Sequence, residues 1–488
     1  MPLDFRNTNS LWASVLVETL VRLGLKTAIV SPGSRSTPLT MALASHPEVD
    51  AVPILDERSA AFFGLGIAKR TGLPVVLVCT SGTAGANYYP AVIEAKESRV
   101  PLMVLTADRP PELRDCASGQ TIDQQKLFGN FPNWYAELAT PLPDLAMLRY
   151  LRQTVTQAWH RALSPTAGPV HLNCPFRDPL PPLPDGSVSH LKGLLDEQFF
   201  PGIDPTLYGT TAISSSESIE PIYNIWANCD RGLIIAGPAQ PANPEAYCQA
   251  VAALSRHLNW PILAEGLSPL RNHGELIPNL VSAYDAILRQ PQWSEQLAAE
   301  QVIQIGPLPT SKVLRQWLDQ TTPPRWVLDA GVSNLDPLHG STTHLPFSIE
   351  QLALSLAEAQ PSPSAYLETW LSVEQKVRHH LESAFSEMED ICESKVPWIM
   401  AQHLPPGTHV IIANSLPIRD VEWFWPPGNR RIRPFCNRGA NGIDGTLSTA
   451  LGIAHQGPPT VLLTGDLALL HDTNGWLSLP RPQGHLTV

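Results

Sequence analysis

Short runs of apolar, β-branched residues alternate with helical patterns along the first third of the chain. The apolar runs predict strands at residues 26–30, 51–55, 74–80 and 101–106. Helical patterns at residues 38–44 and 59–69 fall between them. Because strands that are apolar throughout are buried on both faces, this alternation predicts a parallel sheet covered by helices on both sides.

The same alternation returns twice further along the chain. It predicts strands at residues 232–236, 261–264, 301–305 and 326–329, and then at 409–413, 433–436 and 460–464. An amphipathic helix is expected at residues 367–385, before the last set. The predicted fold class is therefore α/β, with three successive open parallel-sheet units.

Breaks in the pattern suggest where one unit ends and the next begins. The string P-L-P-P-L-P-D at residues 179–185 cannot continue a helix or a central strand, and a Ser-rich stretch follows at 214–218. A second break falls at residues 360–364. The domains predicted from these breaks are residues 1–183, 190–360 and 365–488.

Composition narrows the class of protein. A chain of 488 residues is too long for one hydrophobic core, and 43% apolar with 16% charged residues is typical of a folded protein. The net charge of −12 argues against nucleic acid or an anionic membrane as the main partner, so an anionic substrate must be met by local arginines. We find no apolar run of membrane-spanning length and no signal peptide. The seven cysteines form no C-x-x-C pair, which favours a reducing compartment, and we predict a cytoplasmic protein.

Polar clusters follow the predicted strands, at the edge where open parallel sheets bind ligands. In S-P-G-S-R-S, residues 31–36, we expect Gly33 to allow a tight turn. Ser34 and Arg35 would then face the crevice, where an arginine and backbone amides suit a carboxylate or phosphate. The alternative is an ordinary strand–turn–helix loop with a capping serine.

Glu57 directly follows the second predicted strand, in the string L-D-E-R-S-A-A. A glutamate at such an edge is partly desolvated, which raises its pKa and prepares it for proton transfer. The alternative is a helix-capping acid with Arg58 as its neighbour.

Two more clusters belong to the first predicted unit. Thr80 and Thr83, with Ser81 and Gly82 between them, offer hydroxyl and backbone donors to a ring. In L-T-A-D-R-P-P-E-L-R-D, residues 105–115, the side chains of Asp108 and Arg109 could serve a site. We favour the alternative that they pair with each other as a structural lock.

The third predicted unit holds three clusters after its strands. N-S-L-P-I-R-D covers residues 414–420, and N-R-G-A-N-G-I-D-G-T-L-S-T covers residues 437–449. The second string is typical of a glycine-rich turn that cradles a diphosphate. The Gly465–Asp466 pair ends a buried strand, where an aspartate can hold a magnesium ion.

Six strings together carry a resemblance to one family. They are S-P-G-S-R-S-T-P-L, D-E-R-S-A, T-S-G-T-A, L-T-A-D-R-P-P-E-L-R, N-C-P-F-R-D-P-L and N-R-G-A-N-G-I-D-G-T-L-S-T-A. They resemble the MenD family of thiamine-diphosphate enzymes, the 2-succinyl-5-enolpyruvyl-6-hydroxy-3-cyclohexene-1-carboxylate synthases. The resemblance covers most of the first and third units.

The resemblance implies a transferase of menaquinone or phylloquinone biosynthesis that decarboxylates 2-oxoglutarate and adds the resulting carbanion to isochorismate. It implies thiamine diphosphate with Mg²⁺ or Mn²⁺, and a homodimer or homotetramer with active sites between subunits. One alternative is another thiamine-diphosphate enzyme acting on 2-oxo acids. A second alternative is a catalytically silent, truncated form.

The resemblance also implies roles for individual residues. Glu57 matches the catalytic glutamate that hydrogen-bonds the aminopyrimidine, Ile443 the apolar wedge that bends the cofactor, and Asp466 the magnesium ligand. The substrate pocket would be lined by Ser34, Arg35, Gln120, Ser415, Arg419 and Arg438. The other cofactor contacts would be Thr80, Gly82, Thr83, Ser415, Gly442 and Gly465.

Two departures from the family pattern stand out. Many members carry asparagine before the pocket glutamine, where this chain has Gly119, so one contact could be lost or replaced by Ser118. The family also places an asparagine pair, which completes the magnesium shell, on the strand after the Gly-Asp. The chain ends at Val488 before such a pair, so the third unit is expected to be incomplete and its remaining metal ligands to lie beyond Val488.

Overall fold

The computed structural model describes residues 3–200, 220–354, 364–478 and 483–488. The predicted Ser-rich stretch at 214–218 lies outside these residues, as does all but Ser364 of the predicted break at 360–364. The chain divides into two compact units. Unit 1 comprises Met1–Thr211, Asn437–Thr460 and Asp466–Thr487, and unit 2 comprises Ala212–Cys436, Val461–Gly465 and Val488.

Unit 1 contains a six-stranded sheet of β1 to β6. Its strands are Thr27–Val30, Asp50–Pro53, Val75–Cys79, Leu102–Asp108, Trp134–Glu137 and Pro169–Pro175, in the order β2-β1-β3-β4-β6-β5. The helices α1 to α6 are Thr8–Arg22, Thr37–Ser45, Glu57–Thr71, Thr83–Asn87, Tyr89–Glu97 and Leu145–Leu163. Neighbouring strands pair in parallel, with Ile29 of β1 opposite Val52 of β2 and Leu77 of β3.

The four strands predicted for this sheet are confirmed, with shifts of one or two residues at their ends. Every residue of β3 is buried, as its unbroken apolar sequence requires. The pattern predicted neither β5 nor β6. The strand β6 is buried but carries the polar residues His171 and Asn173. Both polar side chains bond Thr106 of β4, whose Oγ1 lies 2.7 Å from Nε2 of His171 and 2.9 Å from Oδ1 of Asn173.

Unit 2 contains a second six-stranded sheet, of β7 to β12. Its strands are Gly232–Ala236, Ile262–Ala264, Leu280–Val281, Gln301–Ile305, Arg325–Leu328 and Thr342–Leu345, in the order β12-β11-β10-β7-β8-β9. The helices α7 to α13 are Glu220–Ala227, Pro244–Leu258, Tyr284–Leu288, Pro291–Gln296, Lys312–Thr321, Ile349–Ala353 and Ala365–Glu387. The four predicted strands and the predicted amphipathic helix, now α13, are confirmed.

A third sheet has four strands, β13 to β16. They are His409–Ile412, Arg433–Phe435, Thr460–Leu463 and Leu486–Thr487, in the order β14-β13-β15-β16. The helices α14 to α17 are Lys395–His403, Leu416–Phe424, Thr446–Ala454 and Asp466–His471. Short 3-10 helices occur at Ser34–Ser36, Pro111–Leu113, Ser189–Leu191, Glu197–Phe199, Pro269–Asn272, Gly274–Leu276 and Thr473–Ser478. The predicted fold class, α/β with three parallel sheets, is confirmed, whereas the three domain ranges stay a prediction.

The structure also bears on the expected lack of a membrane span and on the cysteines. Among the described residues, no helix combines the length and the apolar character that crossing a membrane requires. None of the seven cysteines, which all lie among the described residues, forms a disulfide bond.

Within unit 1, α3 and α16 cross at very short distance through two glycines. A Cβ atom added to Gly66 would lie 2.1 Å from the carbonyl oxygen of Thr449. A Cβ atom added to Gly452 would lie 2.0 Å from the carbonyl oxygen of Phe63. Both obstacles are backbone atoms, so no side-chain rotation could relieve the clash.

Replacing either glycine by alanine should therefore destabilise unit 1. We expect Gly66→Ala and Gly452→Ala each to lower the free energy of unfolding by about 1–3 kcal/mol, since an overpacked core must shift its backbone. Gly428→Ala is the control, because a Cβ there meets nothing within 4 Å. Urea unfolding measures the difference, and equal midpoints for the three variants would contradict the close approach.

Candidate functional site

The loop after β1 has a buried arginine and an exposed serine. Ser34 is exposed, whereas Arg35 is buried and its Nη1 donates to the carbonyl oxygen of Phe176 at 2.8 Å. The Nε of Arg35 has no hydrogen-bond partner among the described residues. Burial, together with the nearby charge of Arg109, lowers the pKa of Arg35. The loop thus contains a buried guanidinium group, that of Arg35, whose Nε–H has no hydrogen-bond partner among the described residues.

Gly33 is required for close packing and not for the tight turn that was predicted. Its φ of 176° is extended backbone that any residue adopts, so the expected tight turn does not explain the glycine. A Cβ there would lie 2.3 Å from Cβ of Thr80, which shows that the loop passes directly over Thr80. The glycine permits a close approach between two of the predicted clusters.

Glu57 begins α3 but does not cap it. The cap is Asp56, whose side chain accepts a hydrogen bond from the backbone N–H of Ser59 at 3.1 Å. Arg58 donates to the carbonyl oxygen of His471 at 3.0 Å, which disfavours the capping alternative further. Glu57 is half-buried, and burial raises the pKa of its carboxyl group, with a smaller contribution from Asp56. The predicted rise in pKa is confirmed.

Gln120 lies against the loop between β3 and α4. Its Nε2 donates to the carbonyl oxygen of Ser81 at 3.0 Å, and Oγ of Ser81 donates to the carbonyl oxygen of Gln120 at 2.9 Å. Gly82 has a φ of 87°, and its N–H donates to Oε1 of Gln124 at 2.9 Å. Thr83 is exposed, whereas Thr80 is buried with no hydrogen-bond partner for its Oγ1 among the described residues. The structure brings these two predicted clusters together, and Gln124 is a residue that sequence reasoning missed.

The preferred hypothesis of an Asp108–Arg109 pair is wrong. Nη2 of Arg114 lies 3.0 Å from Oδ2 of Asp108, and Nδ2 of Asn173 donates to the same carboxylate oxygen at 2.9 Å. The Arg109 guanidinium instead donates to the carbonyl oxygen of Gly119 at 2.9 Å. Asp108 does form a structural ion pair, but its partner is Arg114 and not Arg109. A Cβ on Gly119 would meet nothing within 4 Å, so space does not explain this departure from the family pattern.

The glycine-rich loop before α16 already uses two of its amides inside unit 1. The backbone N–H groups of Gly439 and Ala440 donate to the carboxylate of Glu94 on α5, at 3.0 and 2.7 Å. Arg438, Gly442 and Ile443 are partly exposed on either side of this contact. The predicted cradle therefore has fewer available donors than its sequence suggested.

The start of α16 is capped in a similar way by Asp472. Oδ2 of this buried aspartate accepts from the N–H of Ser448 at 2.7 Å, and Oδ1 accepts from its hydroxyl at 3.2 Å. Burial raises the pKa of Asp472 against the opposing effect of these hydrogen bonds. Sequence reasoning missed both Glu94 and Asp472. Neither acid lies in a sequence motif that indicates which backbone groups it binds.

Asp466 is exposed at the start of α17, and its Oδ1 accepts from the N–H of Leu467 at 2.8 Å. In the described parts of the chain, no group of three or more His, Cys, Asp or Glu side chains could hold a metal ion. An ion at Asp466 would therefore need ligands other than a cluster of protein acids.

Two of the predicted residues of unit 2, Ser415 and Arg419, lie at the start of α15. Ser415 is exposed and has a φ of 78°, a conformation that costs a non-glycine residue about 1–3 kcal/mol and is common at functional sites. Arg419 is exposed one turn later, and a Cβ on Gly465 would meet nothing within 4 Å. The strained backbone conformation of Ser415 is the observation in unit 2 that indicates a functional site at the start of α15.

A buried pair holds α15 in unit 2. Nη1 of Arg271 donates to the carbonyl oxygen of Glu422 at 2.8 Å, and Oε2 of Glu422 accepts from the N–H of Gly266 at 2.6 Å. Burial raises the pKa of Glu422 to about 8, against the opposing effect of Arg271. Sequence reasoning missed this pair as well, since its members are separated by 151 positions along the chain.

Comparison with known proteins identifies the family of the chain. The profile described as thiamine pyrophosphate enzyme, N-terminal TPP binding domain, matches residues 12–127, and the profile described as middle domain of thiamine pyrophosphate matches residues 212–411. A protein of Trichormus variabilis named 2-succinyl-5-enolpyruvyl-6-hydroxy-3-cyclohexene-1-carboxylate synthase is 58% identical over 100% of this chain and 84% of its own length. Proteins of the same name from Nostoc sp. and Acaryochloris marina are 57% and 56% identical, with the same shares covered.

The chain belongs to the 2-succinyl-5-enolpyruvyl-6-hydroxy-3-cyclohexene-1-carboxylate synthase family. Membership makes it a thiamine-diphosphate enzyme, and the residues of unit 1 fit that cofactor. A half-buried carboxyl group with a raised pKa suits a hydrogen bond to a ring nitrogen, and the unpartnered hydroxyl of buried Thr80 offers a further polar contact. The fit for a divalent ion is weaker, because Asp466 is the one predicted ligand present.

The corrected lock in this family member can be tested by charge removal. We expect Arg114→Gln to lower the free energy of unfolding by about 3–5 kcal/mol near neutral pH, because Asp108 becomes a buried carboxylate without its cation. Burial already raises the pKa of Asp108, and losing Arg114 raises it further. The penalty should therefore shrink as the pH falls through this pKa and the carboxyl takes up a proton.

Chemical denaturation at several pH values measures this effect. Arg109→Gln is the matched control, and we expect it to have a much smaller effect at every pH. Equal losses for the two variants would restore Arg109 as the partner of Asp108.

Proposed function

We propose that this protein decarboxylates 2-oxoglutarate and adds the resulting carbanion to isochorismate, giving 2-succinyl-5-enolpyruvyl-6-hydroxy-3-cyclohexene-1-carboxylate and carbon dioxide. The reaction belongs to menaquinone or phylloquinone biosynthesis. The observation that carries the proposal is 56–58% identity, over the whole chain, to three relatives that bear the name of this synthase.

Thiamine diphosphate, when bound, supplies the electron sink for the carbanion that remains after carbon dioxide leaves. In this proposal Glu57 hydrogen-bonds a ring nitrogen of the aminopyrimidine, and Ile443 supports the bent cofactor. The remaining cofactor contacts are assigned to Thr80, Gly82, Thr83, Ser415, Gly442, Gly465 and Asp466. The buried, unpartnered hydroxyl of Thr80 supports its place among them.

Glu57 is assigned the proton transfer at the cofactor ring. Burial raises the pKa of its carboxyl group, which favours proton exchange with a ligand. Asp56 accepts the backbone N–H of Ser59 in its place, so the Glu57 carboxyl group is not committed to capping. The side chain is thus available to a ligand at the start of α3.

Three arginines are assigned to the carboxylates of the substrates, with Ser34, Gln120 and Ser415 as neutral partners. They are Arg35, Arg419 and Arg438. A guanidinium group can donate two parallel hydrogen bonds to one carboxylate, which a chain of net charge −12 needs for anionic substrates. The unpartnered Nε of buried Arg35 supports this role most directly.

Asp466 is assigned as a ligand of Mg²⁺ or Mn²⁺. Magnesium prefers oxygen ligands and retains several water molecules. The exposed carboxylate of Asp466 can therefore serve as a protein ligand, with phosphate oxygens and water as the others. The proposal extends to a homodimer or homotetramer with active sites between subunits, and to a cytoplasmic location. Light scattering with and without cofactor tests the assembly.

The decisive experiment measures carbon dioxide release from 2-oxoglutarate by the protein expressed from its gene, with thiamine diphosphate and Mg²⁺. We expect sustained release that depends on isochorismate, together with formation of the succinylated product. Release that ignores isochorismate would instead indicate a different thiamine-diphosphate enzyme acting on 2-oxo acids.

Glu57→Gln should leave the fold intact and lower turnover to less than a tenth of the wild-type rate, a barrier increase of more than about 1.4 kcal/mol. The physical reason is that the amide keeps the volume of the side chain but cannot exchange a proton in the same way. Glu48→Gln, at an exposed carboxylate of unit 1, is the control and should be neutral. A Glu57→Gln enzyme that retained more than a tenth of the rate would exclude the assigned role.

Arg419→Ala and Arg438→Ala should impair substrate use more than cofactor binding. Each removes a charge-assisted hydrogen bond to a carboxylate, worth about 1.5–3 kcal/mol, and should raise KM for a substrate or lower kcat accordingly. Arg6→Ala, which removes a surface ion pair with Asp4, is the control. Steady-state kinetics for both substrates decide the matter, and unchanged KM and kcat would refute the assignment.

A further inference from the structure

Glu94 makes a contact in unit 1 that the proposed chemistry does not yet use. Its side chain is only 3% exposed on α5, a helix that carries none of the predicted site residues. One carboxylate oxygen accepts the N–H of Gly439 at 3.0 Å, and the other accepts the N–H of Ala440 at 2.7 Å. A single buried carboxylate therefore holds two successive amides of the glycine-rich loop.

The charge of this carboxylate is balanced within unit 1. Nζ of Lys69 lies 3.3 Å from Oε1 of Glu94, and the hydroxyl of Ser98 donates to the same oxygen. Burying a carboxylate is costly unless it is paired and hydrogen-bonded, and here four donors satisfy it. The contact is therefore a built feature of the fold and not a chance approach of an exposed side chain.

The loop can reach Glu94 because residue 439 lacks a side chain. A Cβ on Gly439 would lie 2.7 Å from both the backbone nitrogen of Ser98 and Cβ of Glu97. The glycine thus permits a close approach to the end of α5, where a larger residue would lift the two amides away from the carboxylate.

The residues assigned to substrate and cofactor lie immediately beside the held amides. Arg438 directly precedes Gly439, while Gly442 and Ile443 follow Ala440 within three positions. Glu94 also lines a cavity of about 140 Å³ together with Gly442 and other residues of the loop. Fixing the amides of residues 439 and 440 therefore restricts the backbone on both sides of them.

We infer that Glu94 is a positioning residue that pre-organises the glycine-rich loop for the cofactor and substrate. This inference rests on the proposed function and assigns Glu94 no contact with the ligands themselves. The amides of Gly439 and Ala440 bind Glu94 with or without cofactor, and the following residues, 441–444, are left to respond to the diphosphate cofactor.

Amide hydrogen exchange in the wild-type protein tests the inference without relying on activity. We expect the amides of Gly439 and Ala440 to exchange slowly in the cofactor-free protein and to change little when thiamine diphosphate and Mg²⁺ are added. Residues 441–444 should gain protection on addition. Fast exchange at residues 439 and 440, or protection there that appears only with cofactor, would overturn the inference.

Glu94→Gln provides the second measurement. Its amide group presents N–H donors where a carboxylate oxygen accepts, so we expect faster exchange at residues 439 and 440 and a dissociation constant for thiamine diphosphate raised by about tenfold. Glu97→Gln makes the same change at an exposed position of α5 and should alter neither quantity. Glu94→Asp keeps the charge and should recover part of the affinity.

The possible failures are distinguishable. A Glu94→Gln variant with wild-type exchange and wild-type cofactor affinity would overturn the inference about Glu94. A wild-type protein that does not bind thiamine diphosphate would overturn the proposed function, and with it the purpose assigned to Glu94.

Discussion

The close crossing of α3 and α16 is the constraint on which the candidate site of unit 1 depends. At Gly66 and Gly452 the helices approach until a single Cβ would lie about 2 Å from a backbone oxygen of the other helix. Glu57 begins α3, and the glycine-rich loop leads directly into α16. One contact between small residues therefore sets how closely the helix that begins at Glu57 packs against the helix that follows the glycine-rich loop.

Carboxylates of the protein occupy backbone donors that would otherwise be open to an anion such as a diphosphate. Glu94 binds two amides of the loop, and Asp472 binds the N–H of Ser448 at the start of α16. Helix starts and glycine-rich turns attract anions, so these internal acids keep the backbone ordered before a ligand arrives. They also limit which backbone amides remain available to a ligand.

Two neighbouring acids at the start of α3 differ because of their hydrogen bonds. Asp56 accepts the N–H of Ser59 and caps the helix. Glu57 is one residue further along, half-buried, and its pKa is raised by burial. Asp56 is therefore used to cap the helix, whereas the carboxyl group of Glu57 remains available for the proposed chemistry.

The sequence by itself determined eleven of the sixteen strands that the structure describes and the parallel α/β class, because continuous apolar runs report burial directly. Six strings of residues indicated the family, and the place of Glu57 after a strand predicted its raised pKa. Only the tertiary structure decided which groups meet. Asp108 pairs with Arg114 and not with its neighbour Arg109, and Gly33 is needed for Thr80 and not for a turn. Glu94 binds an amide 345 positions away, and such a partner depends on how the sheets and helices pack, which no local pattern records.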